Sequence, residues 1–477
     1  MEGFLLINFI VFSAAFGVFA RRVKGGVIHH HKFGGFDLMV MDWNLLLSSF
    51  RLTAEEESQD DSGRTTFHKD CDRIIFSSSF RRLGKKTQVH PLAANDHIHT
   101  RLTHSIEVAS VGRSLGITIG ERIHNQLPKE ISPSNVGQIV QAACLAHDIG
   151  NPPFGHAGEE AIKSWFSQPK VAHLLEGLEE PEKNDLKNFE GNAQGFRVIS
   201  QLEYYPCDGG MRLTYASIAS MLKYPWTSRE INRIKKFSSF LTEEDILKKV
   251  ADHVGLIKVD EYKYCRHPLA FLTEAADDIC YRILDLEDAH EMGILSFNEI
   301  LEILKPLFGE DQKLKNMISS TSISNRRKMS YLRGRSIGLA INHVSEAFME
   351  KLPMIMEGKL NDELISCCPN EIKDPLDSAK QIARQKIFKH PRKIEIEIGS
   401  FTTMGILLEA FCSAVREQVI GSKLSFRGER IISMMGINAP QKGDSLYQSY
   451  MRVLDYISGM TDSYATHIAK QIGGMGM

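Results

Sequence analysis

The stretch Leu145-Ala-His-Asp-Ile-Gly-Asn-Pro-Pro-Phe-Gly-His-Ala-Gly-Glu159 sets metal-ligating and proton-transfer side chains around one helix end and one stiff loop. Upstream of it, Ile139, Val140, Ala143 and Leu145 recur at helical spacing and lead into His147 and Asp148. Gly150 offers a C-terminal cap, and Asn151-Pro152-Pro153 forbids further helix. The pattern predicts a buried helix from Asn135 to Leu145, with one imidazole and one carboxylate turned toward the same place at its end. Beyond the prolines, Gly155-His156 opens another helix, whose acidic first turn at Glu159-Glu160 suits the helix dipole. A His-Asp dipeptide is common, and in isolation it reads as a histidine hydrogen-bonded at a helix end. It needs partners elsewhere in the chain.

Two other helices offer them. Arg101-Leu-Thr-His104-Ser-Ile-Glu-Val continues helically through Val111, Leu115 and Ile119. Here Leu102, Ile106, Ala109 and Val111 are expected to make the apolar contacts, while Arg101, His104, Ser105 and Val108 share the opposite side. Burying an arginine and a histidine unpaired is costly, so this is not a plain core helix. Within Phe271 to Asp288, Asp277, Tyr281 and Asp285 recur at i, i+4 and i+8 as a polar stripe beside apolar Ala276, Ile279, Ile283 and Leu286. A solvated acidic face is the alternative, since Asp278, Glu287 and Asp288 are acidic too. The basic and polar stretch from Arg64 through Arg73, Arg81-Arg82 and Lys85-Lys86 to Gln88 is either a solvated face or a cradle for an anionic substrate. Arg326-Arg327-Lys328 with Arg333 and Arg335 is a second basic cluster: a solvated face, an oligomer contact or a polyanion site.

With 477 residues, 43% of them hydrophobic, the chain can bury one large core or two ordinary ones. A net charge of -2 carries no global nucleic-acid signal. Eight scattered cysteines without a C-x-x-C point to a reducing cytoplasm and away from thiolate zinc. Gly3 to Ala20 is an apolar run followed by Arg21-Arg22, long enough for a membrane-span candidate but without a basic n-region or a cleavage site. Residues 1–40 are therefore read as a non-native or signal-like extension, with Met41 the candidate beginning and His29-His30-His31 a solvated tract. Residues 41–290 read as the catalytic domain and 291–477 as a helical C-terminal region, with a soft boundary near Glu291. Glu55 to Asp61 reads as a surface loop, Gln168 to Lys187 as an irregular insertion, and the alternation Ile394, Ile396, Ile398 as one strand.

His104, His147, Asp148 and Asp277 together make a mixed nitrogen and oxygen set. It suits a borderline or hard divalent ion such as Mn, Fe, Co, Ni or Mg, and it leaves positions open for water. His156 and Glu159 would stand just outside it as a proton-transfer pair.

These residues carry a resemblance. His104, the pair His147-Asp148 and the distant Asp277 match the H…HD…D pattern of HD-domain metal-dependent phosphohydrolases. Arg101-Leu-Thr-His-Ser-Ile-Glu-Val, His147-Asp-Ile-Gly-Asn-Pro-Pro-Phe-Gly-His-Ala-Gly-Glu, Phe189-Glu-Gly-Asn-Ala-Gln and Glu274-Ala-Ala-Asp-Asp-Ile-Cys-Tyr are similar to the bacterial deoxyguanosine triphosphate triphosphohydrolases (dGTPases). So is Ile457-Ser-Gly-Met-Thr-Asp462, and the resemblance runs from about Met41 to the end. It implies an all-α fold: an HD-domain helical bundle, with the helical C-terminal region completing the pocket and oligomer contacts. It further implies hydrolysis of dGTP, or other dNTPs, to deoxynucleoside and inorganic tripolyphosphate by attack of metal-bound hydroxide on the alpha phosphorus.

Carried over residue by residue, the resemblance gives His104, His147, Asp148 and Asp277 the metal, and His156 with Glu159 the leaving 5' oxygen. It gives Gln88 the deoxyribose 3' hydroxyl, Tyr281 the face of the sugar where a 2' hydroxyl would sit, and Asp285 the sugar edge. Arg101 and Lys223 would reach the triphosphate, and Tyr224 would line the pocket. A homo-oligomer is implied; a dNTP effector or single-stranded nucleic acid, for which the cluster from Arg326 to Arg335 could serve, stays open as a further partner, with no membrane contact unless the N-terminal apolar run is real. Two competing readings are an HD phosphohydrolase of another nucleotide and a nucleotide-sensing or single-strand nucleic-acid-binding HD protein. Gln88 and Tyr281 speak against the first, the intact metal set with His156 and Glu159 against the second.

Overall fold

In the computed structural model the described residues are 18–23, 26–33, 36–53, 63–88, 99–203, 210–230, 236–421 and 423–475, with 18–38 described as backbone only. The all-α expectation holds for the body of the molecule. Among the described residues, strands are confined to an N-terminal antiparallel sheet of Val18–Val23, Gly26–Phe33 and Phe36–Met39 and a small pair, Lys258–Asp260 with Lys263–Tyr264. Most of the apolar run from Gly3, and the acidic stretch from Glu55, lie outside the described residues. The run's last residues fall in the first strand, and the three histidines fall in the second.

Two helices form the centre. Arg101–Arg122 starts from a reciprocal cap between Thr100 and Thr103, and Pro133–Ala146 from one between Ser132 and Asn135 with Pro133 at the first turn. They approach closely because the contact is made by glycine. A Cβ on Gly116 would come within 2.8 Å of the Gly137 Cα, so a larger residue would push the backbones apart. Pro268–Glu291 and Asn325–Met356 pack on this pair, and Leu115, Ile119, Val140, Leu272, Ile279 and Phe348 meet in the resulting core. A second core joins His156–Phe166, Pro391–Ile420, Leu446–Ser458 and Asp462–Ile472 around Trp165, Phe166, Phe411, Tyr450 and Leu454. Both cores draw on chain from either side of Glu291.

Several local expectations are corrected. The alternating Ile394, Ile396 and Ile398 are not a strand but the opening of the helix Pro391–Ile420. Ile394 is 40% and Ile398 67% exposed, so their alternation never described a buried sheet face, while Met404, Leu407, Leu408, Phe411 and Val415 continue at helical spacing into the core. On Arg101–Arg122, Ala109 and Val111 are buried as expected, but Ile106 is 51% exposed, and Arg101, His104, Ser105 and Val108 are buried as well. Residues 168–187 are no irregular insertion. Pro169–Leu175 and Glu180–Lys187 are helical, and Leu174, Leu175 and Leu186 enter the second core.

Gly150 is not a left-handed cap; it allows close approach, since a Cβ there would lie 2.0 Å from the Gly195 backbone nitrogen. The basic stretch from Arg64 to Lys86 is largely structural, being neither simply solvated nor wholly a cradle. Asp70 is buried against Arg51, Arg73 donates to the carbonyls of Met211 and Arg212, and Lys86 is buried between two carbonyls.

Candidate metal centre and active site

Three helix positions converge. His104 lies in the first turns of Arg101–Arg122, His147 follows the last turn of Pro133–Ala146, and Asp277 projects from the middle of Pro268–Glu291. His104 Nε2 is 3.0 Å from Asp277 Oδ1, and His147 Nε2 is 3.6 Å from the same oxygen and 3.7 Å from Asp148 Oδ2. His147 Nδ1 lies 2.6 Å from the Cys144 carbonyl. A carbonyl only accepts, so Nδ1 carries the proton and the Nε2 lone pair faces the cluster. Ligand atoms of His104, His147 and Asp148 all lie within 4.8 Å of one another, a spacing that can hold a metal ion.

The electrostatics suit a cation. Burial alone would push the Asp148 carboxyl up, but the Arg101 guanidinium, 2.7 Å from Oδ2, and the neighbouring imidazoles hold it down at about 2. Burial likewise opposes ionisation of Asp277, and the His104 hydrogen bond and His147 overcome it, leaving this carboxyl well below the usual range. Two ionised carboxylates and two imidazoles on one spot, with no thiolate, fit a borderline or hard divalent ion.

His156 opens the His156–Phe166 helix immediately after Phe154 (φ 65°) and Gly155 (φ 57°). Its side chain is 84% exposed, so the imidazole stands at the surface of the pocket rather than in the core. Behind it Glu159 is buried, with Oε2 3.3 Å from His156 Nδ1 and Oε1 accepting from the Gly191 amide. Lys236 bridges Glu159 (3.6 Å) and Glu190 (2.8 Å). Burial and the Glu159 charge push Glu190 up, while His156 and Lys236 overcome burial to hold Glu159 down. The Glu159 carboxylate is thereby kept as an acceptor for His156.

A cavity of about 310 Å³ opens between these groups. Gln88, Arg101, Asp148, His156, Asp277 and Tyr281 all line it. Gln88 Oε1 is buried and has no hydrogen-bond donor among the described residues. Lys223, Tyr224 and Asp285 are not brought into these walls. Lys223 pairs with Glu274 at 3.1 Å, Tyr224 stands edge-on to Trp226, and Asp285 is buried with its carboxyl pushed up by burial and by Asp288 and Asp277. The far wall holds residues that sequence reasoning missed: Lys380, Phe388, Lys393, Ile396 and Glu397. Phe388 packs 5.9 Å from the Tyr281 ring, and Lys393 lies over Phe388. No motif marks them: Ile396 reads as part of a strand, and the others are ordinary members of a charged stretch. Lys236 was missed for the same reason.

Arg333 and Arg335 are engaged by Glu287 and Asp311, which leaves the C-terminal basic cluster partly neutralised. By length and composition one described helix, Pro391–Ile420, could cross a membrane, but half of its most apolar window is buried within the fold.

Residues 101–293 match the family model for the HD domain. Over 438 residues the chain is 48% identical to a deoxyguanosinetriphosphate triphosphohydrolase-like protein of Pseudomonas aeruginosa (strain LESB58), covering 91% of this chain and 99% of that one. A protein of the same description from Synechocystis is 38% identical, over 92% of this chain and all of the relative. The deoxyguanosinetriphosphate triphosphohydrolase of Yersinia pseudotuberculosis is 31% identical, over 89% and 97%. With similarity of this extent, and the HD residues clustered in space, the chain belongs to the HD-domain family of deoxyguanosinetriphosphate triphosphohydrolase-like proteins and is a hydrolase of that kind.

Proposed function

We propose that the protein hydrolyses dGTP, or other dNTPs, to the deoxynucleoside and inorganic tripolyphosphate. The observation that carries this reading is the pairing, across one cavity, of a four-residue ligand cluster with a surface imidazole backed by a buried carboxylate. His104, His147, Asp148 and Asp277 would hold a divalent ion, Mn or Mg or a similar borderline ion such as Fe, Co or Ni. Such an ion supplies an acidified water as nucleophile and screens the phosphate charge.

The chain's own side chains account for the remaining work. Arg101, already hydrogen-bonded to Asp148, faces the cavity where the alpha phosphate would lie, and Lys380 and Lys393 bring further positive charge to the opposite wall. Water adds to the alpha phosphorus, the bond to the 5' oxygen breaks, and His156 gives that oxygen a proton, with Glu159 holding the imidazole. The unpaired Gln88 Oε1 accepts from the 3' hydroxyl, and the Tyr281 ring, braced by Phe388, occupies the space a 2' hydroxyl would need. Lys223, Tyr224 and Asp285 belong to the same reading, at the triphosphate, the pocket edge and the sugar edge, and would come into play as substrate binds. The reading carries with it a cytoplasmic homo-oligomer; the seven described cysteines are all unpaired, as a reducing compartment requires.

The test is to incubate the protein with each dNTP and Mg or Mn and follow the products by phosphorus NMR. Tripolyphosphate is expected as the first product; pyrophosphate or orthophosphate in its place would overturn the cleavage site.

A further inference from the structure

The segment Ile457-Ser-Gly-Met-Thr-Asp462 has no part in the chemistry above, yet it touches the site at two places. It joins the end of Leu446–Ser458 to the start of Asp462–Ile472. Asp462 is 1% exposed. Its Oδ2 accepts from the Thr87 amide (3.0 Å) and the Thr87 hydroxyl (2.6 Å), and its Oδ1 accepts from the Phe154 amide (2.9 Å). One carboxylate therefore ties the residue before Gln88 to the loop two residues before His156. A turn earlier, the Ser458 carbonyl and the Asn151 carbonyl both accept from Lys86 Nζ at 2.6 Å, and the Asn151 side chain donates to Asp148.

The tie has something to hold. Phe154 adopts φ 65°, a left-handed conformation that costs a non-glycine residue roughly 1–2 kcal/mol and persists only when its surroundings impose it. The Phe154 amide is aimed at Asp462, so the carboxylate that anchors the Gln88 segment also fixes this strained turn and, with it, the starting direction of the His156 helix.

We propose that Asp462 is a positioning residue for the phosphohydrolase reaction: through Thr87 and Phe154 it fixes Gln88 and His156 relative to each other, so that both address one substrate. The kinetic part of this inference rests on the function proposed above; the structural tie does not.

Asp462→Asn replaces one accepting oxygen with an amide that opposes either the Thr87 or the Phe154 donors. Hydrogen exchange resolved to the Thr87 and Phe154 amides is expected to accelerate, with protection inside Arg101–Arg122 and Pro268–Glu291 unchanged. In parallel, kcat on dGTP is expected to fall about 10²-fold at unchanged metal stoichiometry, the effect of a small misplacement of reacting groups. Thr87→Val removes only the hydroxyl bond and keeps the fold testable should Asp462→Asn not fold; it should speed exchange at Thr87 and lower kcat about threefold. The double variant should resemble Asp462→Asn alone, since both changes cut the same tie, whereas a merely global destabilisation would add. Exchange at both amides equal to the parent's, or kcat within a factor of about two of it, would overturn the proposal. A parent protein inactive on every dNTP would overturn the proposed function, with the exchange measurement still deciding the tie.

Discussion

The two sides of the cavity are built on opposite plans. The inner corner, His104, His147, Asp148 and Asp277, comes from three helices locked by glycine contacts and shared apolar core, and its groups are already paired with one another. The outer wall, from Gln88 through Lys380, Phe388 and Lys393, comes from a loop and from the ends of helices, and its polar groups are short of partners or paired with partly exposed carboxylates. Pre-organisation is thus concentrated where an ion would sit, and adaptability where substrates differ in base and sugar. Asp462 spans the two plans, carrying order from the second core to the loop that needs it.

The largest expected break comes at the inner corner. His147→Ala should abolish both stoichiometric Mn binding, read by elemental analysis, and dNTP hydrolysis; hydrolysis persisting in this variant would remove the metal assignment. Next is His156→Ala, which should cut kcat about 10³-fold while bound metal stays at the parent level. A parallel loss of metal would show that the corner and the proton relay are not separable as the geometry indicates.

On the outer wall, Lys393→Ala should raise KM about tenfold, the loss of ~1.4 kcal/mol of phosphate binding, with kcat little changed. A kcat loss with KM intact would move Lys393 from holding substrate to the reacting centre. The last effect concerns stability and leaves turnover untouched. His99 joins Asp288 (2.6 Å) and Glu107, clamping the helices that carry Asp277 and His104. Burial disfavours its cation, but the bonds to Asp288 and Glu107 prevail and raise its pKa from 6.5 to about 10. Because the folded value is the higher one, this stabilisation is complete below pH 6.5 and is lost as pH rises through about 10. Thermal melts of the parent should therefore lose roughly 2 kcal/mol more than those of His99→Gln over that interval; parallel curves would show that the clamp contributes nothing.

Much of the inner corner was legible because each ligand sits in a local pattern with its own helix signal: the run into His147-Asp148, the shared face of Arg101 and His104, the i, i+4 row with Asp277. Even there, local reasoning misjudged how the faces of Arg101–Arg122 divide between core and solvent. Ile106 is apolar but exposed, whereas Arg101 and His104 are buried because Asp148 and Asp277 pair with them. Charge partners more than 40 residues away decide such a case, and helical periodicity carries no record of them. The run of isoleucines at 394–398 failed for a related reason: alternation signals a strand only if one face is buried, and burial is a tertiary property.

By itself the sequence determined that the chain is mainly helical, that four ligand-type residues and a His-Glu pair exist at helix ends or on polar helix faces, and that its motifs are those of one hydrolase family. These are local facts, set by periodicity, proline and glycine placement and side-chain chemistry. Tertiary structure alone decided that Lys236 buttresses Glu159, that Lys380 and Lys393 reach the cavity, and that Asp462 holds residues 375 and 308 positions away in sequence. The physical reason is that hydrogen bonds and ion pairs act over a few ångströms of space, and only the packed cores fix which distant segments come that close.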